Sequence, residues 1–255
     1  MKGLDIRELP EAAALMRRYD RKFLCNEANL GDLFEDLDQS HWYVEVNGQR
    51  ESLYTNDYFD SEDLVFYHAH RTGRIRRNKF RLRTYAANAL RFWELKQKHP
   101  RGYQTKHRTE VAPEETGDLN HAQAAYDSLL KQAGGLVQAS VQLRPSLRLE
   151  YQRQTLYNPL NGERLTVDRG LMATDGVHRL DFGTLVLVEL KQARRQKHRL
   201  DEWSRTGRVQ EGSFSKYYIG KRLMLSKDLQ PDSTFFLRRT RIAETPTISK
   251  KLCCI

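Results

Sequence analysis

The chain has 255 residues, 39% hydrophobic and 30% charged, enough for a sizeable core in one large or two modest domains. A formal net charge of +10 and a pI of about 9.5 call for an anionic partner: nucleic acid, a phosphate compound or an acidic membrane surface. No apolar run approaches the roughly 20 residues of a membrane span, and the N-terminal stretch lacks a signal-peptide core. Cys25, Cys253 and Cys254 make no disulfide framework, so a cytoplasmic protein is expected. No cysteine–histidine spacing suggests zinc, and Leu252 stands where a prenylation box would need cysteine.

In chain order, Asp5 to Arg17 reads as a helix with Pro10 near its start, and Tyr19 to Leu24 as a strand. Asn29 can cap a short helix, with Leu30, Leu33, Phe34 and Leu37 at helical spacing. His41 to Val46 is a strand ending at the Asn47-Gly48 turn signal. Leu53 to Phe59 and Asp63 to His70 read as a hairpin around Asp60-Ser61-Glu62. Between Asn78 and Val111 lie three alternating segments, NKFRLRTY, RFWELKQKH and GYQTKHRTEV, each a strand by its period of two. Asp118 opens a helix that Gly134-Gly135 ends. SLRLEYQRQTLYN and ERLTVDRGL form a hairpin around Asn161-Gly162, and Thr184 to Lys191 is the most apolar strand. The basic loop ARRQKHR reads as a solvated surface or a product-binding rim. Ser213 to Leu225 is a closing helix, followed by a polar, weakly patterned tail. Strands outnumber helices and short turns join them. The expected fold is mainly β with α (α+β): an antiparallel sheet closed as a barrel, with flanking helices.

The strands carry charged rows on one face. Lys79, Arg81 and Arg83 share a face opposite Phe80 and Leu82. Glu94, Lys96 and Lys98 oppose Trp93 and Leu95, and Lys106, Arg108 and Glu110 line up on the third strand. Asp20 with Lys22, Arg148 with Glu150, Arg164 with Asp168, and Glu189 with Lys191 extend the pattern. Burying so many like charges without a ligand would be prohibitive. Either the rows face bulk water, or a polyanion and a metal fill the space between them. Asp168 also reads as a turn or cap residue, Glu94 as a cross-strand partner of its cationic neighbours, Tyr85, Tyr103 and Tyr151 as packing, and His41, His68 and His70 as structural. Few aromatic residues share the basic rows, which argues against a base-stacking nucleic-acid surface.

RLRTY, ELKQK, TKHR, YQR, RLTVD, LVELK and SFSKYYIG, in this order, resemble the polyphosphate-polymerase domain of the vacuolar transporter chaperone family, within the triphosphate tunnel metalloenzymes. The resemblance covers about Tyr19 to Gly220 and implies an eight-stranded antiparallel barrel with an open tunnel, here a single domain over 1–255 with its core at about 19–225. It implies catalytic roles for Arg81, Arg83, Lys96 and Lys106. It gives substrate-binding roles to Lys22, Lys79, Arg153, Arg164, Lys191 and Lys216, and a metal-binding role to Glu189. The first strand departs from the broader superfamily, since Asp20 alone represents its usual glutamate pair. Ser213 stands where a second lysine of the closing helix would be expected. Arg153 differs in strand phase from Arg148 and Glu150, so either a bulge intervenes or Arg148 is the inward residue. The implied activity is transfer of the γ-phosphoryl group of ATP to a growing polyphosphate chain with Mn²⁺ or Mg²⁺. A triphosphatase of the same fold is the alternative, and a non-catalytic polyphosphate or nucleic-acid-binding barrel the second. The expected partners are ATP or another triphosphate and polyphosphate, with no specific nucleic acid and no transmembrane segment.

Overall fold

A computed structural model describes residues 1–10, 19–100, 103–112, 114–134, 141–225 and, as backbone, 247–250. In order these form β1 (Gly3–Asp5), β2 (Tyr19–Asn26), α1 (Leu30–Leu37), β3 (Trp42–Glu45), β4 (Glu51–Asp60), α2 (Val65–Arg71), β5 (Arg77–Tyr85), β6 (Arg91–Lys98), β7 (Gln104–Glu110) and α3 (Leu119–Gln132). The second half supplies β8 (Arg144–Tyr157), β9 (Arg164–Thr174), β10 (His178–Asp181), β11 (Leu185–Gln192), α4 (Arg199–Arg205), β12 (Val209–Glu211), α5 (Lys216–Leu225) and β13 (Thr247–Lys250). The expected helix from Asp5 to Arg17 is a short 3₁₀ turn at Ile6–Glu8, and its remainder lies mostly outside the described residues. The Cys253–Cys254 tail also lies outside them.

The strands join one sheet whose main path runs β12-β2-β11-β9-β8-β4-β5-β6-β7, with every neighbour on that path antiparallel. It is not closed into the expected eight-stranded barrel: among the described residues β7 and β12 remain edges. β12 is only three residues long, and the Gly212 amide bonds back to the Lys22 carbonyl as the chain turns away into α5. The sheet nevertheless curls, because Lys22 of β2 and Lys96 of β6, near opposite ends of the path, line one cavity.

Which face turns inward follows from where the apolar residues are covered. Phe80, Leu82, Trp93 and Leu95 pack under α3 with Tyr126 and Leu129. Val186, Val188 and Leu190 pack with Leu165 and Val167 under α1 and α4. Burying each of these side chains contributes roughly 1.5–3 kcal/mol, so the apolar faces go outward beneath helices and the charged rows are left inside. At one end the interior is itself apolar: Tyr217, Ile219 and Leu223 of α5 sit against Leu147, Leu149, Leu171 and Ala173.

Two local features depart from the sequence expectation. Asp63 to His70 is not the second strand of a hairpin but a turn and α2. The Asp60 carboxylate accepts the Phe66 and Tyr67 amides and Ser61 Oγ accepts that of Val65, which satisfies the helix start and outweighs the strand-like composition. In β9 the pairing with β8 shifts register past Arg169. Gly170, at φ 58°, accommodates the bulge. Before it Arg164, Thr166 and Asp168 face the interior; after it Leu171 and Ala173 do.

Candidate active site

Three cavities run end to end through the curl. The central one, about 170 Å³, is lined by Lys22, Lys79, Arg81, Arg83, Lys96, Lys106, Arg153, Lys191 and Lys216, against Asp20, Glu94 and Glu189. It shares Lys22, Lys79 and Lys96 with a mouth of about 760 Å³ that adds Arg71, Arg77, Lys98 and Arg222. It shares Arg83, Lys106, Arg153 and Lys191 with a second mouth of about 540 Å³ that adds Tyr54, Tyr85, Phe92, Arg108 and Arg164. Nine cations line the centre against three carboxylates, with Asp168 buried behind Arg153 and Lys216 as a fourth, so the centre stays positive, the condition a polyanion relieves.

The structure brings ten of the eleven expected residues to the central cavity, and places Arg164 at the second mouth. Arg148 is not inward: it stands on the outer face with Nε 2.6 Å from Asp57 Oδ1. Arg153 is the inward residue because Leu147, Leu149, Tyr151 and Arg153 share one phase of β8. β8 pairs with β4 without a break from Leu147 to Gln154, so no bulge separates Arg148 from Arg153, and Arg148 and Glu150 face away from the cavity, contrary to the expected inward row.

The carboxylates organise the cations rather than simply opposing them. Arg81 donates from Nε and Nη2 to Glu94 Oε2 at 2.8 and 2.6 Å, and from Nη1 to the Tyr58 hydroxyl at 2.9 Å. Lys106 pairs with the other oxygen of Glu94, and Arg83 Nε donates to Asn56 Oδ1 at 3.0 Å. Asp168 accepts Arg153 Nη2 at 2.7 Å and Lys216 Nζ at 2.5 Å on one oxygen. Lys79 donates to Ser215 Oγ at 2.8 Å and Lys22 to the Phe214 carbonyl at 2.9 Å. Glu189 has Lys191 at 3.9 Å.

Asp168 is therefore a buried tunnel residue, not a turn or cap. Tyr58 and Tyr151 also belong to the wall: the Arg81 guanidinium lies 5.6 Å over Tyr58, and Arg153 and Lys216 lie 5.2 and 4.6 Å over Tyr151. The inward face has aromatics after all, contributed by β4 and β8 and buried beneath cations. Their signal was the same period of two, Tyr54-Asn56-Tyr58 on β4 and Tyr151-Arg153 on β8. Neither stretch carries a cationic row to draw attention to it.

Ionisation follows from enclosure and charge. Burial first, then Lys22, pushes Lys96 down to about 8. Burial likewise takes Lys106 to about 8 although Glu94 opposes the change. Both side chains touch the open space of the tunnel while protein surrounds them. Lys79 is likewise held well below the ordinary lysine value, first by burial and then by Lys96, Lys22 and Arg77. Burial works against ionised Glu94 and Glu189, yet Arg81 and Arg83 hold the first, and Lys191 and Lys22 the second, well below the usual carboxylate range. At the first mouth, burial and neighbouring Lys79 push His70 down to about 3, so its ring is neutral.

The central lining offers carboxylate oxygens and neither imidazole nor thiolate, a donor set that suits a hard divalent cation such as Mg²⁺ or Mn²⁺. Glu189 is the lining carboxylate that would hold such a cation. A different group, His41, Glu163 and His198, converges outside the tunnel, with His41 Nε2 3.2 Å and His198 Nε2 3.7 Å from Glu163 Oε1. The Leu200 amide donates to His198 Nδ1 at 3.1 Å, which puts the neutral ring's proton on Nε2, facing the carboxylate. At 3.7 Å Nε2 does not reach the carboxylate in a hydrogen bond, and the ring could ligate an ion through Nε2 only by giving up the Leu200 bond. The basic loop before α4 lies on the outside, where Arg199 bonds Asp36 and Glu202.

Among solved structures the chain is similar to a candidate adenylate cyclase of Bacillus halodurans, at 16% identity and a TM-score of 0.49 over 79% of this chain and 97% of that one. It is also similar to a Hippeastrum protein described as a candidate adenylyl cyclase with a dominant triphosphatase activity, at 16% identity and 0.49 over 80% and 94%. A Pyrococcus horikoshii protein aligns at 13% identity and 0.39 over 74% and 85%. No curated protein matches in sequence. The VTC domain family matches residues 17–225, most of the chain and every strand that lines the cavities, and the chain belongs to that family.

Proposed function

We propose that the chain is a metal-dependent phosphotransferase that moves the γ-phosphoryl group of ATP onto the end of a polyphosphate chain, acting as one tunnel domain with its core at 19–225, in the cytoplasm. The observation that carries this reading is the continuous cationic passage with two mouths. A site for a single triphosphate needs one opening. A donor and a chain acceptor lying end to end need room on both sides of the transferred group.

In this reading Arg81, Arg83, Lys96 and Lys106 hold the transferred phosphoryl group and its neighbours, and Lys22, Lys79, Arg153, Lys191 and Lys216 extend the grip along the chain, with Arg164 at the second mouth. A terminal phosphate oxygen of the acceptor forms the new P–O bond, the bond from the γ-phosphorus to the β–γ bridging oxygen breaks, and ADP leaves. No protein nucleophile takes part; positioning and fixed positive charge supply the catalysis. A divalent cation held by Glu189 would neutralise charge on the phosphate oxygens. Glu94 and Asp168 keep the guanidinium and ammonium groups in place before substrate arrives, so little reorganisation is needed when it binds.

The test is incubation with ATP and Mn²⁺ or Mg²⁺, with products resolved on a gel stained for polyphosphate. Chains longer than three phosphates, with ADP released, are expected. ADP and orthophosphate with no longer chain would replace this reading with a triphosphatase, water being the acceptor. Neither product, with salt-sensitive binding of RNA or DNA, would overturn the enzyme reading.

A further inference from the structure

A second buried polar network stands behind the tunnel wall and has no part in the proposed transfer. Asp60, the last residue of β4, is fully buried. One of its carboxylate oxygens accepts the Ser61 and Phe66 amides, each at 2.8 Å. The other accepts the Tyr67 amide at 2.9 Å and the Tyr217 hydroxyl at 2.5 Å. A single carboxylate thus closes the start of α2 and reaches α5. The Tyr217 ring is buried and stacked 4.9 Å from Tyr58, the residue under Arg81.

Tyr217 is next in sequence to Lys216. The turn that opens α5 therefore carries contacts on two sides: Phe214, Ser215 and Lys216 meet Lys22, Lys79 and Asp168 in the tunnel, and Tyr217 meets Asp60 behind it. The rest of the helix is held mainly by apolar contact through Ile219 and Leu223 and by the close approach of Gly220 to Leu147, with one hydrogen bond from Lys221 Nζ to the Ser146 carbonyl at 3.2 Å. Apolar contact is non-directional and leaves a short helix free to rotate or slide by small amounts. A buried phenol–carboxylate hydrogen bond is directional and costly to leave unmade.

We propose that Asp60 is a positioning residue which, through the Tyr217 hydroxyl, fixes the first turn of α5 so that Lys216 stays on the tunnel wall beside Asp168. The effect on phosphate binding rests on the function proposed above; the effect on the position of Lys216 does not.

Lysine acylation read by mass spectrometry reports the position of Lys216 without any ligand. Tyr217→Phe keeps the ring packing, also removes the hydroxyl's 3.1 Å contact with Ser146 Oγ, and leaves Asp60 with three amide donors. Labelling of Lys216, relative to Lys131 on α3, is expected to rise at least fivefold in this variant. Asp60→Asn, which keeps one carbonyl oxygen for the α2 amides, is expected to give the same rise and serves if Tyr217→Phe folds poorly. Unchanged labelling in a folded variant of either kind overturns the proposal. Calorimetric titration with tripolyphosphate then separates the two readings. Tyr217→Phe is expected to weaken binding about tenfold in the wild-type background and less than threefold with Lys216→Ala, because the two changes act through one group. Equal losses in both backgrounds overturn the link to Lys216. A wild-type protein that binds no tripolyphosphate refutes the tunnel function and leaves the labelling result to decide the positioning role.

Discussion

Arg81 and Glu94 sit directly opposite each other on β5 and β6, and two guanidinium nitrogens of the first share one carboxylate oxygen of the second at 2.6 and 2.8 Å. Glu94 is buried, the Arg81 side chain is 20% exposed, and Glu94 also takes Lys106. Glu94 thus neutralises part of the positive charge that Arg81 and Lys106 bring to the cavity. Removing one partner of a buried ion pair costs about 3–5 kcal/mol. Glu94→Gln is expected to lose stability of that order, and to be stabilised by tripolyphosphate more than the wild type is. Thermal unfolding with and without the anion measures both; an equal ligand shift in the two proteins would show that Glu94 does not neutralise the site.

Lys96 and Lys106, each lowered to about 8, govern pH dependence. An amine is charged below its pKa, so affinity for a polyphosphate should be full below about pH 8 and fall as pH rises through it. Binding near pH 8 should also take up protons, since the anion favours the charged amines. Lys96→Arg stays charged in this range and should flatten the decline relative to wild type, a comparison that removes the anion's own ionisation. Titration between pH 7 and 9.5 in buffers of different ionisation enthalpy reads both effects. An identical pH profile for the variant would exclude Lys96 as the titrating group.

Glu189 stands on β11, whose neighbouring positions Leu187, Val188 and Leu190 are buried apolar residues. Glu189→Gln preserves shape and removes the charge. It should remain folded at a lower unfolding temperature, because Lys191 and Lys22 lose the charge facing them, and lose most Mn²⁺- or Mg²⁺-dependent turnover, at least a hundredfold, equivalent to about 2.7 kcal/mol of transition-state stabilisation. Full metal-dependent activity in this variant would reassign the ligand to Asp20 or Glu94.

Stability should fall in mild acid for a reason outside the tunnel. Burial pushes His198 down to about 4 from an ordinary value of 6.5, so the unfolded chain binds a proton there that the folded chain refuses. Its contribution is complete above about pH 6.5 and is lost as pH falls through 4, on the order of 3 kcal/mol in all. Glu163, held near 2, adds a separate loss below about pH 4.5. His198→Asn, which can still cap α4, should reduce the slope of unfolding free energy between pH 6.5 and 4. An unchanged slope would assign it to other groups, His70 first among them.

Much of the site was legible because strand geometry is strictly periodic. Lys79, Arg81 and Arg83 must share a face, Phe80 and Leu82 must share the other, and burying the second under a helix turns the first inward. Neighbouring residues alone carry that periodicity, and for β5, β6 and β11 they are enough. It could not set the phase of β8, where Arg148 and Arg153 were equally admissible until Tyr54 and Tyr151 were seen paired across the sheet. Nor could it find the Gly170 bulge, which turns Asp168 and Leu171 to the same side although they are three residues apart. Asp63 to His70 went to a helix because Asp60, from the preceding strand, satisfies its amides, and the sheet stayed open because the chain turned into α5 after three residues of β12. In each of these cases the deciding partner is a register shift, a cap or an approaching helix. A local pattern fixes which side chains travel together, and only the tertiary structure decides which way they face and what they meet there.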